Sequence, residues 1–179
     1  MSFERDFKWS AEALPLVVWP AVRGLCGGGE LVLVEKTSTC LADVLDKASG
    51  VDAIQVLDDG VRAIASRAQK DCGLRTFTIR YWRESTGFDT EYKKRMVALH
   101  DNRELLYPGI MIHAYLDEMG VLQAAAVART KDVFYLVDPT RQRQAPGGEK
   151  FIWLEWSKLI DHGFWICIWD HGQEIVYNG

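Results

Sequence analysis

Val51-Asp52-Ala53-Ile54-Gln55-Val56-Leu57-Asp58-Asp59-Gly60-Val61-Arg62-Ala63-Ile64-Ala65-Ser66-Arg67-Ala68-Gln69 is the stretch from which the fold is read. Val51 to Leu57 and Val61 to Gln69 are two strand-like runs around Asp58-Asp59-Gly60. Asp-Gly between such runs signals a type I′ hairpin turn, whose two central residues both need positive φ. With Asp59-Gly60 at that turn, Asp58 faces Val61, Val56 faces Ala63, Ile54 faces Ala65 and Asp52 faces Arg67. Facing residues share one side of a sheet. Asp52, Ile54 and Val56 are therefore expected on the same face as Ala65, Arg67 and Gln69. A carboxylate, a guanidinium and an amide then collect at the open end of the hairpin. One reading is a solvated cross-strand ion pair, worth under about 1 kcal/mol. The other is an active site, in which Asp52 binds a divalent cation through hard oxygen ligation. Arg67 would face charge developing on a phosphate, and Gln69 would hold a backbone or phosphate oxygen.

Outward from the hairpin, Ser10 to Leu25 reads as an opening helix that Pro15 and Pro20 kink or split, with Ser10 as its N-cap. Gly27-Gly28-Gly29 ends it, and Glu30 to Glu35 follows as a strand. Thr37 to Gly50 is a short helix or a long connector carrying Asp43 and Asp46. After the Asp71-Cys72-Gly73 turn, Leu74 to Trp82 is a third strand of β-branched, aromatic and Arg residues. Asp89 or Thr90 caps a helix running to about His100, with Tyr92, Met96 and Leu99 on its apolar face. Gly109 to Leu116, Val121 to Ala128 and Val133 to Val137 are strand-like runs. Thr140 to Lys150 is a polar loop, and His171-Gly172 turns a final hairpin. The tail from Phe151 carries Trp153, Trp156, Trp165 and Trp169, which suit either a core or a partner surface. The expected architecture is a single α/β domain, with a mixed central β-sheet flanked by helices over 10–116 and a β-rich extension over 117–179.

The 179 residues suit one domain with a sizeable core. A hydrophobic content of 48% and a charged content of 26% argue against disorder over most of the length. The formal net charge of −4 gives no overall field that attracts nucleic acid, so any basic patch must be local. Cys26, Cys40, Cys72 and Cys167 form no C-x-x-C pair and no zinc-type cluster, and are expected as free, mostly buried thiols in a reducing compartment. The charged start, Met1 to Ser10, lacks a signal-peptide core, and the apolar stretch from Ala13 to Val22 is too short to span a bilayer. A soluble, cytoplasmic protein without membrane attachment is expected.

The string from Ser49 to Gln69 resembles the catalytic hairpin of the PD-(D/E)XK superfamily of restriction-endonuclease-like nucleases. Motif matching is confined to the hairpin, and the wider likeness in element order, α, three strands, α, β, runs from Ser10 to Leu116. The resemblance implies that Asp52 is the motif aspartate, Gln69 the trailing glutamine and Glu12 the first-helix acid. Arg67 stands where the family has lysine, and it cannot act as a base near neutral pH. Ala65 stands where the family has its second acid. Glu91, at the start of the following helix, is the candidate replacement, because some members supply the acid from there. Which of Glu12, Glu30, Glu35 and Asp43 reaches Asp52 stays open. The resemblance implies Mg²⁺ or Mn²⁺, with catalytic residues Asp52, Arg67, Gln69 and Glu91 and metal ligands Asp52, Glu91 and Glu12. It also implies a nucleic-acid substrate, DNA before RNA, and leaves open a homodimer or a protein partner.

Arg75, Arg80 and Arg83 from the third strand and Lys93, Lys94 and Arg95 from the next helix, interleaved with Tyr81 and Trp82, are candidate nucleic-acid contacts. The alternative for the helix is a solvated face with Glu91–Arg95 pairing at i,i+4. Two further readings compete. Missing its second acid, the chain can be a non-catalytic interaction or inhibitor protein that reuses the nuclease fold, in a phage or defence setting. The segments His113-Ala114-Tyr115-Leu116 and Val137-Asp138-Pro139-Thr140 are similar to those of transglutaminase-like cysteine hydrolases, with Cys40 as nucleophile, His113 as base and Asp138 orienting it.

Overall fold

The computed structural model describes residues 12–34, 45, 50–83, 90–100, 107–145 and 147–178. Cys40, Glu35, Asp43 and Asp46 lie outside the described residues. The opening helix is a π-helical stretch, Leu14–Val18, that runs into α1, Trp19–Val22. Its prolines neither break nor sharply split it. Pro20 has no N–H to donate, and the Trp19 N–H bonds back five residues to the Leu14 carbonyl, so the ladder is widened around the defect.

Among the described residues ten strands follow: β1 Glu30–Leu33, β2 Ala53–Leu57, β3 Gly60–Lys70, β4 Thr76–Trp82, β5 Ile110–Leu116, β6 Leu122–Arg129, β7 Gln142–Gln144, β8 Lys150–Glu155, β9 Ile166–Asp170 and β10 Gln173–Tyr177. Further helices with described ranges are α2 Glu91–His100, α3 Thr130–Leu136 and α4 Trp156–Asp161. The molecule is mixed α/β. Seven strands form a mixed sheet in the order β1-β2-β3-β5-β6-β9-β10, with β3 and β5 parallel and the other neighbours antiparallel. No described helix is long and apolar enough to cross a membrane.

The β2–β3 hairpin forms, but its register differs from the expected one by two residues. Val56 faces Val61, Ile54 faces Ala63 and Ala53 faces Ile64. The loop is Asp58-Asp59, closed by Leu57 opposite Gly60, and neither aspartate has the positive φ of a type I′ turn. Local turn preference gives way here to the pairing the rest of the sheet imposes. The I′ geometry appears instead between β9 and β10, where His171 (φ 46°) and Gly172 (φ 85°) make the turn read from the sequence. The assignment of faces survives the slip, because side chains alternate with a period of two. Ile64 in β3 and Ile110, Ile112, Ala114 and Leu116 in β5 pack toward the opening helix. Ala65, Met111 and Tyr115 point the other way.

On that second face a small sheet joins the helices over the central sheet. β4 leaves the central sheet and pairs antiparallel with β8, which pairs with β7 inside the expected polar loop. Phe77, Ile79, Ile152 and Leu154 of this small sheet pack with Val133 and Phe134 of α3 and Leu159 of α4 over the central sheet. Thr130–Leu136 is a helix although Val133 to Val137 reads as a strand, since a short apolar run does not reveal its period. The Val137 N–H bonds to the Val133 carbonyl, and Val133 and Phe134 are buried side by side.

Candidate functional site

Asp52 sits at the entrance to β2, and its backbone is tied on both sides: its N–H donates to the Ile64 carbonyl (2.9 Å) and its carbonyl accepts from the Val34 N–H (3.0 Å). The register continues to place it opposite Ala65 rather than Arg67. Its Oδ2 accepts from the Ser66 N–H at 2.6 Å and lies 3.9 Å from Nη2 of Arg95.

Arg67 turns to Glu91 instead, donating from Nη1 to Oε2 at 3.1 Å, with the face of Phe151 4.9 Å from its guanidinium. Glu91 heads α2, and Thr90 caps the helix through its hydroxyl, which accepts from the Lys93 N–H (3.4 Å). Glu91 also accepts from the Arg80 N–H (3.1 Å) and pairs with Arg95 one turn on. Both carboxylate oxygens are thus occupied by positively charged or N–H donors. Burial by itself pushes this carboxyl up, but Arg95, Arg67 and the Arg80 N–H outweigh it and bring it down from 4.5 to about 2. Arg95 is 2% exposed; its Nη2 also donates to the Gly50 carbonyl at 3.4 Å. Asp52, Arg95, Glu91 and Arg67 therefore form one chain of alternating charge between the sheet and α2.

His113 is the β5 partner of Arg67. It is 1% exposed, stacks on Tyr115, and accepts the Thr78 N–H on Nδ1 at 3.1 Å. An accepting Nδ1 in a neutral ring leaves the proton on Nε2. Burial, with the positive charge of Arg67, pushes its pKa from 6.5 to about 3, against an opposing pull from Glu91.

Of the expected site residues, Asp52, Arg67 and Glu91 meet through Arg95. Gln69 shares their face of β3. Glu12 is exposed on the opening helix, which packs against the opposite face of the sheet. The residues expected to contact nucleic acid are placed as follows. Arg95 is internal; Arg80 and Arg83 both approach Glu149 (3.3 and 3.2 Å); Arg75 pairs with Asp71 (3.1 Å) and Asp170 (3.7 Å). Lys93 and Lys94 lie on α2. Nor do His113 and Asp138 meet as a dyad: Thr78 holds the histidine nitrogen that an orienting carboxylate would need, and Asp138 accepts from the N–H and hydroxyl of Thr140 in an exposed turn. Cys26 and Cys167 are buried, and burial pushes their thiols up to about 12 and 11, whereas Cys72 is exposed. Trp156 is buried, Trp165 and Trp169 pack on the opening-helix core, and Trp153 lines a surface groove with Arg141.

The residues do not fit a divalent cation. Mg²⁺ requires near-octahedral oxygen ligation at about 2.1 Å. Glu91 has both oxygens engaged, position 65 offers a methyl group, and Asp52 already takes an N–H and faces a guanidinium. Among the described residues no three His, Cys, Asp or Glu side chains gather to hold a metal. The central role of Arg95 was missed in the sequence, where only its i,i+4 spacing from Glu91 was legible. Comparison with protein-family models, with characterised proteins and with solved structures finds no match to this chain.

Proposed function

We propose that this protein is a non-catalytic binding protein built on a nuclease-like frame, with the Arg95 guanidinium standing where a nuclease would hold its metal. The frame is supported by the order opening helix, β1, β2, β3, β4, α2, β5, in which β4 joins the second sheet, and by an aspartate entering β2 opposite the position of the family's second acid. The observation that carries the reading is the bridge from Glu91 through Arg95 to Asp52. A guanidinium can neutralise two carboxylates, but it cannot lower the pKa of a bound water as a metal ion does. The partner is a protein rather than nucleic acid, because Arg75, Arg80 and Arg83 are matched by carboxylates and Arg95 is internal. A phage-encoded inhibitor or a defence factor fits this description. The rival is an active Mg²⁺- or Mn²⁺-dependent nuclease, which would need Arg95 to give up Asp52 and Glu91 to the metal.

Calorimetric titration of Mn²⁺ into the wild type and Asp52→Ala, paired with incubation of supercoiled DNA with Mg²⁺ or Mn²⁺, separates the two. The non-catalytic reading expects no saturable heat and no nicking. Saturable binding lost in Asp52→Ala, or divalent-dependent nicking lost in that variant, overturns it.

A further inference from the structure

The small sheet stands edge-on against the central one. On the side of β4 away from β8, the N–H groups of Thr76, Thr78 and Arg80 donate to the Tyr115 hydroxyl (3.0 Å), His113 Nδ1 (3.1 Å) and Glu91 Oε2 (3.1 Å). Three side chains thus satisfy the edge of an end strand. The opposite edge, β7, is exposed along its length. One face of this sheet is apolar and places Phe77, Ile79, Ile152 and Leu154 in the core. The other face has different chemistry. Residues opposite each other on antiparallel strands share a face. Phe151, opposite Arg80 and Arg143, therefore lies beside Trp153, opposite Thr78. Both rings are only partly buried, and Arg141 and Arg143 are exposed. Each ring carries a guanidinium: Arg67 lies 4.9 Å from the Phe151 ring centre, and Arg141 lies 5.7 Å from that of Trp153.

We propose that this face of the small sheet is the docking surface for an acidic segment of the partner protein, whose carboxylates are taken by Arg141 and Arg143. A guanidinium held over an indole by cation–π attraction keeps its N–H fork available to a carboxylate. Arg67 is paired with Glu91 and Arg80 approaches Glu149. Neither Arg141 nor Arg143 forms an ion pair with a described residue. Asp138 borders the groove beside Trp153, but its Oδ1 accepts from the N–H and hydroxyl of Thr140. Glu155 stands at the far end of the face, opposite Thr76. The chain as a whole carries a net charge of −4, so two arginines without counter-ions beside two rings are a local exception that draws an acidic partner to this face. Trp and Arg are also the side chains that dominate the binding energy of protein interfaces. Single-stranded nucleic acid is the less favoured occupant. A base needs an open ring face on which to stack, and guanidinia already cover these two. The surface says where the partner docks, and it rests on the reading of this chain as a protein-binding protein.

The test is fluorescence anisotropy of a labelled peptide alternating Glu and Thr, titrated with the full chain. The peptide with Gln for Glu and a labelled oligothymidylate of equal length are run beside it. The expected result is saturable binding of the acidic peptide, weakened about tenfold in Arg141→Lys, in Arg143→Gln and for the Gln peptide. Lysine keeps the charge but lacks the planar fork, so Arg141→Lys separates recognition from general attraction. Both side chains are exposed, so neither variant puts folding at risk. Absence of saturable binding overturns the proposal, as does equal affinity in wild type and either variant. Tighter binding of oligothymidylate than of the acidic peptide gives the face to nucleic acid and overturns it too. Failure here without Mn²⁺ binding or nicking removes this surface alone, whereas failure with divalent-dependent nicking removes the protein-binding reading as well.

Discussion

At Glu91 a single carboxylate meets two arginines and a backbone N–H with little water at hand, its side chain being 16% exposed. Removing one member of such a buried network strands the other charges, which typically costs about 3–5 kcal/mol. Glu91→Gln keeps the shape and deletes the charge, so urea unfolding of this variant should show a loss of that order; a change under about 1 kcal/mol would mean that the network behaves as a screened surface pair. Protons report on the same region. The folded pKa of His113, about 3, lies below its ordinary 6.5, so on acidification the unfolded chain takes up the proton first. Stability therefore falls as pH drops from 6.5 toward 3, by at most about 1.4 kcal/mol per pH unit for one proton. Glu91, with a folded pKa near 2 against 4.5, contributes stability that is complete above 4.5 and lost as pH falls through 2. Urea midpoints measured against pH should show the decline between 6.5 and 4.5 in wild type and a shallower one in His113→Gln. An unchanged slope in the variant would remove histidine as the cause.

Among the elements, the link between the opening helix and β1 depends most on one residue. Gly29 has φ 81°, and a Cβ there would lie 2.3 Å from the Val56 carbonyl oxygen. Gln55, fully buried in β2, reinforces this contact by donating from Nε2 to the carbonyls of Cys26 (2.9 Å) and Gly28 (2.7 Å). Gly29→Ala combines a left-handed backbone with a clash against backbone that cannot swing aside. Its expected cost is about 2 kcal/mol or more, read as a drop in the urea midpoint. Gly60→Ala, at a glycine with negative φ and open space around its Cα, serves as the control and should cost far less.

For the molecule as a whole, residues after 116 are part of the fold and no appendage to it. β6 pairs along all of β5, β9 pairs with β6, and β8 gives β4 its partner. Every residue of β5 is buried, so a chain ending at 116 would bare the strand edge that β6 covers and much of the face that α3, α4 and β8 cover. Such a truncation is expected to be unfolded or aggregated by circular dichroism and size-exclusion chromatography. A truncated chain that melts cooperatively would show that 117–179 is dispensable.

Much of this was legible in the chain alone: the hairpin, the opening helix, α2 with its Thr90 cap and apolar face, the final His171-Gly172 turn, and the sharing of one face by Asp52, Ala65, Arg67 and Gln69. These rest on local periodicity and turn chemistry, which hold whatever the strand's neighbours are. The two-residue register slip, the departure of β4 to a second sheet and the helix at Thr130–Leu136 were settled by pairing and burial against distant segments. The same holds for the candidate site. Asp52 and Arg67 were read as facing partners, yet each carboxylate and guanidinium found its counterpart by proximity in the folded core. Arg95, one turn along α2 from Glu91, became the group that joins them, because a buried charge takes whichever opposite charge the packing brings within reach.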